Sequence, residues 1–156
     1  MTYEGLADPR WKGKVCIRAG QHPYNIGLLG AMIAKNGEAA TSAYLTALKA
    51  NLARRPGGGD RDVAKDIAAG ICDIGVSNLY YMGLMLSGAG GAEQKAWGEA
   101  VRVVVPTFAD GKGTHVNISG AAVAAHAPHR DEAVRLLEYL AGPEAQAAMA
   151  EANFET

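Results

Sequence analysis

Ile71-Cys72-Asp73-Ile74-Gly75-Val76-Ser77-Asn78-Leu79-Tyr80-Tyr81 reads as a short apolar strand, about 71–76, that runs out into a helix starting near Ser77 or Asn78. An apolar run this short, bounded by turn-forming residues, suits a buried strand. The same grammar occurs earlier in the chain. Lys14-Val15-Cys16-Ile17-Arg18 predicts a strand at about 14–18, Gly20 to Asn25 a loop, and Asn25 an N-cap for a helix through about Lys35. Strands alternating with helices argue for an α/β lobe and against a bundle or a sandwich.

Outward from these junctions, Leu6 to Lys14 reads as a capped turn feeding the first strand. Tyr44, Leu45, Leu48 and Leu52 trace one apolar helical face, and Pro56-Gly57-Gly58-Gly59 breaks that helix. Asp60 caps a short helix through about Ala69, ended by Gly70. Gly88 to Gly91 is a turn and Glu93 to Ala100 a short helix. Val101 to Val105 is a β-branched run, expected as a fully buried strand. Pro106 to Gly113 is the best boundary, and beyond it His115-Val116-Asn117-Ile118 and Ala121-Ala122-Val123-Ala124 are short strand candidates. Two helices finish the chain: one carries Val134, Leu137, Tyr139 and Leu140 and ends at Gly142, and the other begins at Pro143, a favoured first helical position.

A chain of 156 residues, 49% of them apolar, supports one domain with a sizeable core, or one lobe with a fragment of another. Fifteen basic residues against sixteen acidic ones give no bulk charge for nucleic acid, and Arg54-Arg55 is too short for a polybasic patch. No apolar run approaches the ~18 residues of a membrane span. The stretch Met1 to Leu6 lacks a charged-then-apolar export pattern, so composition leaves the compartment open. Cys16 and Cys72 each sit in a short apolar segment. They read either as two buried thiols or, if their strands are neighbours in an oxidising compartment, as a disulfide.

Ligands of open α/β sheets gather at the carboxyl ends of strands, where helix N-termini also point. Tyr24 follows the first strand, and Tyr80 and Tyr81 follow the second, so all three phenols fall on one edge if the strands lie in one parallel sheet. A free phenol has a pKa of about 10 and is neutral at pH 7. A helix N-terminus favours the phenolate, and a bound trivalent cation favours it far more, because deprotonation and coordination are linked. Phenolate oxygen is a hard donor, which makes Fe(III) the leading candidate. Backbone N–H groups at Gly20-Gln21 and from Gly57 to Asp60 offer a cradle for a small anion. With His22 and Asn78 nearby, carbonate or phosphate could complete the metal's coordination there. A single tyrosine at a helix start is ordinarily a packing residue, which is the bland reading of Tyr24. Tyr80 and Tyr81 resist it, since neighbouring helix positions cannot both enter one core. Tyr44 and Tyr139 lie on apolar stripes and read as core, whereas His115, His126 and His129 read as surface or loop. Gly57-Gly58-Gly59 is no phosphate loop, as no Gly-Lys-Ser/Thr follows. Ser119-Gly120 is not framed as a nucleophile elbow. No enzyme chemistry stands out.

Several stretches together resemble a known family: Trp11-Lys12-Gly13-Lys14-Val15-Cys16-Ile17-Arg18, His22-Pro23-Tyr24-Asn25, Leu48-Lys49-Ala50-Asn51-Leu52-Ala53-Arg54, Ser77-Asn78-Leu79-Tyr80-Tyr81 and Gly113-Thr114-His115-Val116-Asn117-Ile118-Ser119-Gly120 with Ala127-Pro128 beyond. They are similar to ferric-iron-binding periplasmic proteins of ABC transporters. The resemblance implies that Tyr80 and Tyr81 are metal ligands, joined by Tyr24, and that iron is handed to an inner-membrane permease without catalysis. The implied fold is α/β, one lobe of a type II periplasmic-binding-protein-like architecture truncated at both ends. Residues 1–106 would form the second-lobe ligand-binding domain, and 107–156 a crossover segment with helices that in the family help build the first lobe.

Two departures shape the expectation. The match covers only the later part of a family member, and Asn153-Phe154-Glu155-Thr156 stops short of the family's final helices. Gly59-Asp60 stands where related sequences often read Asn-Asp, which weakens the anion reading at that loop. Residues 113–156 are therefore expected to expose apolar surface, including Val134, Leu137 and Leu140, unless it repacks on the lobe or is buried by a homodimer with exchanged segments. Two other readings stand beside an incomplete ferric site: a lobe for another small anion or organic ligand, and an interaction module that has lost transport.

Overall fold

Val15–Cys16 (β1) and Ile74–Gly75 (β2) pair in parallel in the computed structural model, which describes residues 1–153, with Val15 opposite Ile74 and Cys16 opposite Gly75. Leu52 adds a parallel bridge on the other side of Val15, where Ala53 N–H donates to the Val15 carbonyl at 2.9 Å. Parallel neighbours need a crossover. Here it consists of α1 (Pro23–Asn36), α2 (Glu38–Asn51) and α3 (Asp60–Ala68). Both strands are shorter than the apolar runs that signal them. Gly75 lets the layers approach: a Cβ there would run into the Val63 side chain and lie 3.1 Å from the Cys16 carbonyl.

The chain divides into two units, 1–117 and 118–156. In the first, β2 leads through a short loop into α4 (Leu79–Ser87), and α5 (Ala92–Glu99) follows. One face of the small sheet and of α1 and α2 buries Tyr3, Leu6, Val15, Leu28, Met32, Tyr44, Leu48 and Phe108. A second cluster joins Cys16, Cys72 and Val63, and a third packs Ala64 of α3 against Met82 and Met85 of α4. Cys16 and Cys72 are bonded as a disulfide that ties β1 to the loop before β2. Residues 107–117 belong to this unit, held by the Tyr3 N–H to Thr107 carbonyl bond at 3.0 Å and by buried Phe108. The second unit contains α6 (Arg130–Ala141) and α7 (Pro143–Asn153), which pack on each other. Residues 154–156, part of the terminal stretch read from sequence, lie outside the described residues.

Three expectations need correction. Val101–Val105 is not a strand: it has no partner among the described residues, and Val103, Val104 and Val105 are 43%, 52% and 60% exposed. β-branched residues favour a pleated surface, but a strand exists only where another strand accepts its hydrogen bonds. The 115–118 and 121–124 segments likewise form no strand. Tyr139 is not core but 54% exposed, on a helix α6 that buries no residue. Val134, Leu137 and Leu140 are half-buried, and the widely exposed apolar side chain of that helix is Leu136.

Candidate functional site

The loop after β1 reaches α1 through His22, which caps the helix with Pro23 at its first position. Pro fits there because its missing N–H would have had no helical partner. The expected cap, Asn25, is instead inside the first turn and buried. Tyr24 is the second residue of α1. Asn78 precedes α4 as its N-cap residue, and Tyr80 and Tyr81 fall in the first turn. Because β1 and β2 are parallel and adjacent, both helix starts leave the same edge of the sheet.

The three tyrosines meet there. The Tyr24 and Tyr80 hydroxyl oxygens are 2.8 Å apart and hydrogen-bonded. The Tyr80 and Tyr81 rings lie 4.3 Å apart, tilted by 32°. All three are half-buried. The His22 ring sits 4.7 Å from that of Tyr24, and the Arg61 guanidinium, at the start of α3, lies 5.3 Å from the Tyr81 ring centroid. The Tyr80 phenol is pushed well above its ordinary range, chiefly by desolvation and then by its hydrogen bonds to Tyr24 and Tyr81, while Asn78 acts in the opposite direction. The group is therefore neutral across physiological pH until something replaces its proton.

Beneath the phenols lies a polar network that sequence reading missed. Arg18, 2% exposed, donates from Nη1 to Asp60 Oδ1 at 2.6 Å and to Asn78 Oδ1 at 3.2 Å, and from Nε and Nη2 to Asn25 Oδ1 at 3.2 and 3.0 Å. Asn25 returns bonds to the Arg18 and Ala19 carbonyls. Asp60 Oδ1 also accepts from Ser77 Oγ at 3.0 Å and from the Asn78 N–H at 2.6 Å. Asn117 Nδ2 donates to Asn78 Oδ1 at 3.1 Å, and His115 Nε2 lies 3.0 Å from Asn117 Oδ1. The one sequence signal for this network was an arginine closing an apolar strand, Val15-Cys16-Ile17-Arg18.

The residues read as an anion cradle do not act alike. Gly20 and Gln21 are exposed on the loop before α1, and His22 is half-buried beside them. Asp60 turns inward, and its carboxylate is engaged by three donors, so its side chain is no anion contact. The Asn78 N–H is likewise spent on Asp60. Among the described residues no three His, Cys, Asp or Glu side chains converge as a metal cluster. A metal reading here rests on the phenols, hard donors suited to a hard cation.

The three phenols thus gather at the carboxyl ends of parallel strands, where open α/β sheets bind ligands. The chain belongs to the bacterial extracellular solute-binding protein family, whose model matches residues 1–156. It is 43% identical to iron uptake protein A2 of Synechocystis sp., over 99% of this chain and 44% of that protein. Among solved structures, a Bordetella ferric binding protein is 60% identical with a TM-score of 0.89, matching 99% of this chain and 49% of that one. A Trichodesmium protein in complex with iron and citrate ligands is 39% identical with a TM-score of 0.89, matching 97% and 48%. The chain thus spans about half the length of the relatives it matches, and its fold is one half of the type II periplasmic-binding-protein architecture.

Proposed function

We propose that this lobe binds ferric iron through the phenolates of Tyr24, Tyr80 and Tyr81, as part of periplasmic iron uptake through an ABC permease of the inner membrane. The observation that carries the reading is the 2.8 Å approach of the Tyr24 and Tyr80 oxygens, with the Tyr81 ring alongside. Residues 56 positions apart in sequence are brought to hydrogen-bonding distance at the edge where ligands of this architecture bind. The names of the relatives, for iron uptake and ferric binding, point the same way, and a Cys16–Cys72 disulfide suits an oxidising compartment.

The chemistry follows from charge. Without metal, the phenols keep their protons and share hydrogen bonds. Binding Fe(III) replaces each O–H by O–Fe and releases one proton per ligand, so three phenolates neutralise the cation. The lobe supplies one side of the coordination sphere. A small anion such as carbonate or phosphate, at Gly20, Gln21 and His22, is the expected occupant of further positions, with the Arg61 cation close by over Tyr81. No step of this account requires catalysis. A dimer with exchanged segments finds no support in the structure or the relatives and is not part of the proposal.

The test is a titration of the purified chain with Fe(III), read as visible absorbance. A phenolate-to-iron charge-transfer band that saturates in the wild type and vanishes in Tyr80→Phe/Tyr81→Phe is the expected result. No band in a folded wild type would refute iron binding by this chain.

A further inference from the structure

We infer that Arg18 is a positioning residue for the tyrosine site, its guanidinium acting as the clamp that fixes the Tyr24–Tyr80 oxygen separation. The inference deepens the ferric reading and rests on it for its functional meaning, but its geometric content is independent of any metal.

One planar fork can hold several partners at once. Arginine presents five N–H donors in a rigid arrangement. In this fold they reach side chains from the starts of three helices at once: Asn25 in α1, Asp60 at the head of α3, and Asn78 before α4. Asn25 is the immediate neighbour of Tyr24, and Asn78 stands two residues before Tyr80. The two tyrosine-bearing helix starts are joined to each other through Arg18 as well as by the Tyr24–Tyr80 hydrogen bond. The guanidinium carbon also lies 5.4 Å from the centroid of the Tyr24 ring, so the clamp touches the ligand side chain itself. Asp60 closes the arrangement by bonding the Ser77 hydroxyl and the Asn78 N–H, which sets the first turn of α4.

Stability alone gives little reason for such a network. A buried ion pair is often no better for stability than well-packed apolar residues. This one is buried to 2% and 0% side-chain exposure, and Asp60 Oδ2 is left without a hydrogen-bond partner among the described residues. What the network supplies is geometry. A lysine could keep the charge opposite Asp60, but it could not span Asn25, Asp60 and Asn78 together, because its single ammonium lacks the fork.

The experiment compares wild type with Arg18→Lys and Asn25→Ala, the second removing the guanidinium's arm to α1 together with the Asn25 bonds to the Arg18 and Ala19 carbonyls. Circular dichroism checks that each variant is folded. In iron-free, tyrosine-labelled protein, the nuclear Overhauser contact between the Tyr24 and Tyr80 rings is expected in the wild type and lost in both variants. On iron addition, the variants are expected to bind at least about tenfold more weakly, the usual cost of removing a group that orients a metal ligand, with a shifted charge-transfer maximum. A merely structural arginine would leave that maximum unmoved in a folded variant. A folded Arg18→Lys or Asn25→Ala protein that keeps the ring contact and the wild-type band overturns the inference. If Arg18→Lys does not fold, Asn25→Ala decides by the same readouts. A wild type with the ring contact but no iron band would refute the ferric reading while leaving the clamp to be judged on the ring contact alone.

Discussion

Breaking the Cys16–Cys72 bond is expected to remove a large share of the stability of the site-bearing unit. The bond closes a loop with a sequence separation of 56 residues. The chain-entropy relation for a loop of that size gives about 14 cal/mol/K, or about 4 kcal/mol at 25 °C. Against the 5–15 kcal/mol typical of domains, that is a major fraction. Cys16 and Cys72 are 0% and 3% exposed and pack on Val63, so truncation to alanine adds a small cavity term of the same sign. At about 2–4 °C per kcal/mol for a chain of this size, Tm should fall by roughly 8–16 °C. The assay is urea unfolding of Cys16→Ala/Cys72→Ala against oxidised wild type, followed by tryptophan fluorescence. That probe is selective: Trp11 and Trp97 both belong to the first unit, so the second unit does not blur the transition. A loss below about 1 kcal/mol would refute the reasoning. So would two free thiols per chain in denatured, unreduced protein.

Other expectations follow from single features of the structure. Loading with Fe(III) from one and the same source in weakly buffered solution should release about one proton fewer per iron in Tyr80→Phe than in wild type, because each phenolate ligand displaces its own proton; equal release in both would place the metal elsewhere. Gly75→Ala should destabilise by about 1–3 kcal/mol, the usual range for overpacking, since its Cβ meets Val63 and the Cys16 carbonyl; a neutral result in urea unfolding would mean that α3 gives way without cost. Tyr44 gives a pH signature. Desolvation, followed by the charges of Glu4 and Tyr3, raises its folded pKa above the unfolded value of about 10. Its contribution is thus fully present below pH 10 and lost as pH rises beyond it. Tyr44→Phe should therefore lose less stability than wild type between about pH 9 and pH 11, and parallel curves would count against the assignment.

How much of this was legible in the sequence depended on whether the signal was local. The strand-to-helix junctions at Cys72–Tyr81 and Val15–Asn25 carry their own turn residues and periodicity, and the structure has a parallel pair and two helix starts there. Val101–Val105 failed because strand propensity says nothing about whether a partner exists. Asn25 was misplaced as a cap because His22-Pro23 is the better start, Pro being tolerated only at the head of a helix. Asp60 reads locally as a helix cap beside an anion loop, yet its carboxylate is consumed by an arginine 42 residues away. Nothing local announces a contact of that kind, so the tyrosines could be proposed from sequence while the arginine behind them could not.

The placement of the phenols also bears on why a site would hold its ligands protonated. Successive helix positions point about 100° apart, so Tyr80 and Tyr81 cannot both be core residues, and neither is buried. Tyr80 nonetheless meets enough desolvation, and enough hydrogen bonding from Tyr24 and Tyr81, to hold its proton more tightly than free tyrosine does. For a packing residue that would be incidental. For the proposed ferric carrier it would set a threshold: the cation must supply more than the O–H bonds it displaces, which favours a highly charged ion. On the ferric proposal the same balance would make binding reversible by acid, because protons would compete for the phenol oxygens.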